Sequence, residues 1–288
     1  MLNLLLAILS STGIFITFKY IEKFKIDILL AIIINYITAA FCGYFLSDTT
    51  FNASQILHQD WFYISILIGI LFIVVFFIIG KSTQKAGISV TTLASKMSFV
   101  LPLLFSFLYY QETVTIQKII GIIIALSAVL LSIYKKQSDK INRQYIWLPI
   151  LLFFGAGTVD SLVKFSQQEY LHSGGTEQFT TLLFAIAAIS GFLALLIRKE
   201  QFKALFKVKV LIGGCILGLV NYGSLYFLIA SLNHSAYDSS VVFSIVNIGI
   251  VACSVFIGLS IFKEKLNKLN LLGILLAFIA IFILTNEF

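Results

Sequence analysis

The chain of 288 residues is 59% hydrophobic and 11% charged, with a mean hydropathy of +1.01, against about 45–50% apolar and about 25% charged in a typical soluble domain. This composition excludes a soluble enzyme or binding module and makes the chain an integral membrane protein. The formal net charge of +7 then concerns orientation in a bilayer rather than attraction to nucleic acid.

Apolar runs of about 20 residues, the length that crosses a bilayer core, follow one another along the whole chain. The first, near residues 2–18, has no basic residue before it and no small-residue cleavage site after it, so it is expected to stay in the mature protein. It carries Ser10-Ser11-Thr12-Gly13 and no acid. The second, near 28–46, contains Asn35, whose amide is expected to pack between helices, and the third lies near 61–79. In the fourth, near 88–110, Lys96 sits within TTLASKMSFVLPLL. Thr92, Phe99 and Leu103 share its helical face, while Ser95, Ser98, Pro102 and Ser106 lie about 100° round. Pro102 removes a backbone hydrogen bond and is expected to kink this helix, which makes it a candidate gating hinge.

The fifth run lies near 116–134. After the basic join Lys135-Lys136-Gln137-Ser138-Asp139-Lys140 come runs near 145–163, 179–197, 208–231, 239–262 and 270–285. Asp160 is the only acid well inside a run, one helical turn before Lys164. As an ionisable group within the membrane it is a candidate proton or cation site; the plainer reading is an i,i+4 pair with Lys164 snorkelling outward. Gly214 and Gly218 form a GxxxG spacing for close helix packing. Asn221 and Asn247 either tie helices together or face a cavity. Trp61, Tyr109, Tyr110 and Trp147 stand at run ends, where interfacial aromatics gather. Cys42, Cys215 and Cys253 fall within runs and read as packing residues. His58, His172 and His234 lie in connections without metal-ligand spacing.

When connections are numbered alternately, 17 of the 20 basic residues fall on one face and only Lys118 and Lys164 on the other, with Lys96 on neither. The positive-inside rule makes the basic face cytoplasmic and puts both termini outside. An internal repeat is also present. SKMSFVLPLLFSFLYYQE from Ser95 runs parallel to NIGIVACSVFIGLSIFKE from Asn247, so that Glu112 matches Glu264 and Gly121 matches Gly273. Both glutamates precede a helix, where a carboxylate is favoured by the helix dipole, and are expected to be structural. The fold expected is all-α, with ten transmembrane helices in two inverted five-helix repeats, residues 1–134 and 145–288, joined by a cytoplasmic loop at 135–144.

Ten runs in two halves, each with a fourth helix ending in Glu (YYQE at 109–112, IFKE at 261–264) and a fifth carrying Gly (Gly121, Gly273), resemble the drug/metabolite transporter superfamily, EamA type. The resemblance covers essentially the whole chain. It implies alternating access around a central cavity lined by the first, third and fourth helices of each half. Sugar-phosphate carriers of that superfamily hold their anion with a lysine on the fourth helix and a second basic residue on the ninth, where this chain has Asn247. The membrane-embedded glutamate of the small multidrug-resistance relatives is absent from the first run.

These features lead to an expected secondary transporter of a small polar, carboxylate-bearing metabolite in a bacterial cytoplasmic (inner) membrane, and not to an enzyme. No nucleophile, metal cluster or carboxylate pair lies within the runs. Lys96, Thr92, Phe99, Asn221, Asn247 and Ser244 are the candidate substrate-binding residues, with Asp160 as the coupling candidate. The partners expected are a small-molecule substrate, membrane lipid and a proton or other coupling ion, the chain being a monomer or homodimer; no cofactor is called for. An exporter of neutral or cationic drugs is the alternative within this class, and a non-transporting membrane scaffold or receptor the alternative from another.

Overall fold

The computed structural model describes residues 2–47, 51, 53–111, 115–133, 145–171, 175–197, 202–234 and 239–285, and within these all side chains but those of residues 53, 54, 133, 232–234, 239–241, 244 and 285. Glu112, His172 and the 135–144 join lie outside the described residues, as do the side chains of Ser244 and His234. Every regular element described is an α-helix: α1 (Leu2–Lys23), α2 (Ile28–Leu46), α3 (Ala53–Leu57), α4 (Phe62–Lys85), α5 (Ile88–Met97), α6 (Val100–Tyr109), α7 (Ile116–Ile133), α8 (Trp147–Tyr170), α9 (Thr176–Ile197), α10 (Phe202–Leu205), α11 (Val208–His234), α12 (Ser239–Ser260) and α13 (Lys268–Thr285). Helices are the form in which a single chain segment satisfies its own backbone hydrogen bonds in lipid.

Seven stretches are long and apolar enough to cross a membrane, α5 and α6 together forming one of them over Ile88–Tyr109. Three further apolar stretches, Ile116–Ser132, Ile245–Ser260 and Lys268–Leu284, are shorter. Many large apolar side chains face outward, among them Leu108, Leu130, Phe154 and Phe256, as expected where the surrounding solvent is hydrocarbon. Trp61 departs from the expected interfacial role. It is 3% exposed and meets the Phe179 ring edge-on at 5.6 Å, whereas Trp147 stays exposed at the start of α8.

α11, α2, α9, α4 and α8 pack in a continuous series, with α1 lying against α11, α12 and α4, and α7 and α13 pairing beside them. Small residues set the close approaches. A Cβ at Gly218 would meet the Asn35 carbonyl oxygen at 2.7 Å, and one at Gly214 the Ala31 carbonyl oxygen at 2.9 Å, so the GxxxG pair seats α11 on α2. Gly121 is pressed against Leu284 and Ile283 of α13. A Cβ at Gly273 would lie 2.8 Å from both the Ala128 carbonyl oxygen and the Ser132 nitrogen of α7. Those are backbone atoms and cannot turn aside. Gly273→Val is therefore expected to destabilise the protein by about 1–3 kcal/mol, the usual cost of overpacking, read as a lower melting temperature in detergent. An unchanged melt would mean that α7 and α13 can separate freely.

One end of the bundle collects basic residues. The last turn of α1 meets that of α4 through Lys19 Nζ donating to the Gln84 carbonyl at 3.3 Å, Gln84 Nε2 donating to the Phe18 carbonyl at 3.2 Å, and a Lys85–Glu22 ion pair at 3.5 Å. Lys209, at the start of α11, donates to the Phe24 carbonyl at 3.4 Å. Asp27 caps α2 at the same end, accepting from Leu29 N at 2.9 Å and Leu30 N at 3.2 Å.

Candidate functional site

The long apolar stretch that contains Lys96 is broken. α5 ends at Met97 and α6 begins at Val100, two residues before Pro102. Proline lacks the N–H that would bond the Ser98 carbonyl, and that oxygen instead accepts from Leu101 N at 2.9 Å, a tighter three-residue turn. The break thus falls at Ser98–Phe99, and Pro102 sits within the first turn of α6, where a missing N–H is tolerated.

α8 uses this irregularity. Gly157 lies against the Ser98 carbonyl and the Leu101 side chain, where a Cβ would stand 2.7 Å from each of the Ser98 oxygen and Leu101 Cβ. One turn on, Asp160 comes near the Ser98 hydroxyl and within electrostatic reach of Lys96. The Ser98 hydroxyl also donates to the Ser95 carbonyl at 2.6 Å, and its side chain is fully buried. Lys96 is half-buried and Asp160 exposed. The two charges face each other without a direct ion pair. A further turn along, Lys164 does not snorkel outward: its Nζ donates to the Ser106 hydroxyl on α6.

Both charges sit at mid-depth. Lys96 is eight residues from the start of α5 and Asp160 ten from the end of α8, about 12 Å and about 15 Å along their axes at ~1.5 Å per residue. A carboxylate at that depth, within electrostatic reach of a lysine on a neighbouring helix, is the kind of membrane ionisable group that marks a candidate functional site. α8 packs on α4, α5 and α6 but makes no comparable contact with α11 or α12 among the described residues.

The other candidate residues distribute as follows. Thr92 is fully buried on α5, with no hydrogen-bond partner for its hydroxyl. Phe99 is half-buried at the break and packs on the core formed by α5, α7 and α13. Asn221 is 8% exposed on α11, where it meets Asn35 of α2. With the Asn35 amide turned so that its nitrogen meets the Leu217 carbonyl at 3.2 Å, that nitrogen also lies 3.2 Å from the Asn221 amide. The Asn35 amide bonded to the Leu217 carbonyl therefore ties α2 to α11 beside Asn221. Asn247 is half-buried on α12, a helix that packs on α5.

Glu264 does not cap its own downstream helix. α13 is opened by a reciprocal pair, Asn267 N donating to Asn270 Oδ1 at 3.0 Å and Asn270 N donating to Asn267 Oδ1 at 2.8 Å. The Glu264 carboxylate turns instead onto the first turn of α5. Sequence reasoning also missed Ser98, Ser106 and Gly157 as neighbours of the charged pair. The signal available was the spacing of Gly157, Asp160 and Lys164 on one face of α8 opposite the small residues of the Lys96 helix.

No protein-family model matches the chain. It is 32% identical over 289 residues to an uncharacterized protein of Haemophilus influenzae, an alignment that covers 98% of this chain and 97% of that one. All the helices described here lie within a length that the two proteins share almost end to end, and the chain belongs to the same family as that Haemophilus influenzae protein.

Proposed function

We propose that the protein is a secondary transporter that moves a small, carboxylate-bearing metabolite across the bacterial cytoplasmic membrane by alternating access. Lys96 holds the anionic group and Asp160 carries the coupling proton or cation. The observation that carries this reading is the Lys96–Asp160 pair: two opposite charges at mid-depth, on different helices, one half-buried and one exposed. Ionisable groups within a membrane interior face the bundle or a wet cavity and mark substrate or ion pathways.

In this reading the seven long apolar stretches and the three shorter ones are ten spans in two inverted repeats. The helix neighbourhoods support it. α1 packs on α11 as α8 packs on α4, α2 on α11 as α9 on α4, and α12 on α1 as α5 and α6 on α8. The pairs α2–α9, α7–α13 and α5–α12 join equivalent spans of the two halves. Such a pattern is what a two-fold axis in the membrane plane generates. The resemblance to EamA-type permeases has the same content. Flux of carboxylic and amino acids into proteoliposomes tests the proposal, and absence of flux for anionic, zwitterionic and neutral substrates alike would sink it. The exposed Asp160 favours a second reading, an exporter of cationic metabolites, which the same assay separates by substrate charge.

The gathering of Lys19, Lys85 and Lys209 at one end of the bundle supports a cytoplasmic basic end, with both termini on the other side. Alkaline phosphatase fused after Phe288 is expected to be active, and a reporter that works only in the cytoplasm to be dark. The reverse pattern would invert the orientation.

A further inference from the structure

At the basic end, α12 stops in a left-handed turn. Phe262 N donates to the Ile257 carbonyl at 3.2 Å, Glu264 N donates to the Gly258 carbonyl at 2.8 Å, and Lys263 takes a φ of +51°, so a residue in the left-handed conformation ends the helix and satisfies its last carbonyls. This turn delivers the Glu264 side chain beneath α5. Its Oε1 accepts from Ile88 N at 2.5 Å; its Oε2 accepts from Ser89 N at 3.2 Å and from the Ser89 hydroxyl at 2.8 Å. Three donors of a helix first turn, otherwise without intrahelical partners, thus converge on one carboxylate from a segment 176 residues away in sequence.

The surroundings are shaped for that carboxylate. A Cβ on Gly258 would lie 2.6 Å from both Glu264 Oε2 and Ser89 Oγ; one on Gly87 would lie 2.9 Å from Glu264 Oε1, at a φ of +108° that itself favours glycine. The contact also completes a ring. α1 joins α4 through Lys19, Gln84 and the Glu22–Lys85 pair, α4 joins α5 through the buried Ser82–Thr91 hydroxyl contact at 2.7 Å, and α1 meets α12 where the Tyr20 and Phe262 rings stand 6.0 Å apart. Glu264 closes the remaining side, between α12 and α5. Beneath this ring, toward the middle of the bundle, lie Lys96 and Asp160. These contacts bridge α1, α4, α5 and α12 on all four sides at this end.

We propose that Glu264 is the latch of the gate at the basic end: its hold on the first turn of α5 keeps the way to Lys96 and Asp160 closed there, and the carboxylate must leave Ile88 and Ser89 for that end to open. The proposal rests on the transport reading for its purpose, though the latch itself is a conformational claim with its own readout. It goes beyond helix capping because a cap within a static protein never has to let go.

The test uses the full chain in proteoliposomes, with Cys42, Cys215 and Cys253 replaced by alanine and Asp160→Cys as a probe of that site. A membrane-impermeant maleimide is expected to label this cysteine from the face opposite the basic end. Adding Glu264→Gln is expected to raise labelling from the basic face about tenfold or more, the shift that losing charge-assisted hydrogen bonds would bring. Unchanged labelling from the basic face would overturn the proposal. Should Glu264→Gln fail to fold, Ser89→Ala keeps the carboxylate, removes one of its three bonds and is read in the same way.

A second arm locks the latch. Gly258→Cys with Ser89→Cys sets a thiol on α12 in the space the Glu264 carboxylate now holds, beside one on α5, so that oxidation puts a covalent link in place of the carboxylate bridge, and the oxidised pair is expected to abolish flux until a reductant restores it. Undiminished flux in the fully cross-linked protein would also overturn the latch. If the reduced protein carries no substrate while the labelling shift occurs, the transport reading has failed and the latch stands.

Discussion

Replacing Lys96 with glutamine is expected to leave the protein folded and to lower its affinity for an anionic substrate tenfold or more. Lys96 stands on the last turn of α5, half-buried, with the Asp160 carboxylate opposite but not paired to it. An ionic hydrogen bond to a substrate carboxylate is worth about 1.5–3 kcal/mol, and about 1.4 kcal/mol corresponds to a factor of ten in binding. Glutamine keeps the length and a donor but removes the charge. Isothermal titration or a substrate-induced shift in melting temperature, compared between anionic and neutral substrates, reads the effect. Lys96→Gln with unaltered affinity and kinetics for the anion would show that this lysine does not touch it.

Asp160→Asn is expected to abolish accumulation driven by a pH gradient while leaving substrate binding or exchange measurable. Asparagine preserves the shape and a polar group beside Ser98, so the α5–α8 contact built around Gly157 should survive, but the side chain no longer takes up or releases a proton. A coupling residue of a transporter shows this split between uphill movement and exchange. A variant that still concentrates substrate against its gradient would make Asp160 a structural partner of Ser98 and Lys96. The two variants also report on each other: if Lys96 and Asp160 are coupled, the double variant should fall short of the sum of the single effects.

Much of this could be read along the chain. An excess of Ile, Leu and Phe over charge, in runs of bilayer length, is a local property, and local composition alone decides that a segment prefers hydrocarbon to water. Lys96 and Asp160 stood out for the same reason, since a charge within such a run is costly wherever its partners are. Pro102 announced a break because the missing N–H is a covalent fact, although the turn falls at Ser98–Phe99, where the unmet carbonyl finds Leu101 N. The parallel between the two halves, with Glu112 opposite Glu264 and Gly121 opposite Gly273, is likewise written in the chain.

Which surfaces meet was not legible. In a bilayer the solvent is as apolar as the core, so a helix buried against protein on one side and lipid on the other carries little of the polar-to-apolar contrast that tells a soluble helix which way to face. Asn221 therefore read equally well as a ligand for substrate and as a packing group, and nothing along the chain signalled that Asn35 of α2 would lie beside it. Trp61 looked interfacial until Phe179 covered it. Lys164 had a carboxylate one turn away on its own helix and reaches Ser106 on another. Glu264 was assigned to the helix that follows it, because reasoning along the chain sees only nearby donors. The fold brings up the first turn of α5 from the other half of the molecule, and its Ile88 and Ser89 amides take the carboxylate while Asn267 and Asn270 cap α13. The sequence by itself determined the solvent, the run lengths and the unusual charges, all set by residues close together in the chain; the partners of those charges were decided by the tertiary structure alone, because they depend on how helices far apart in sequence are seated against one another.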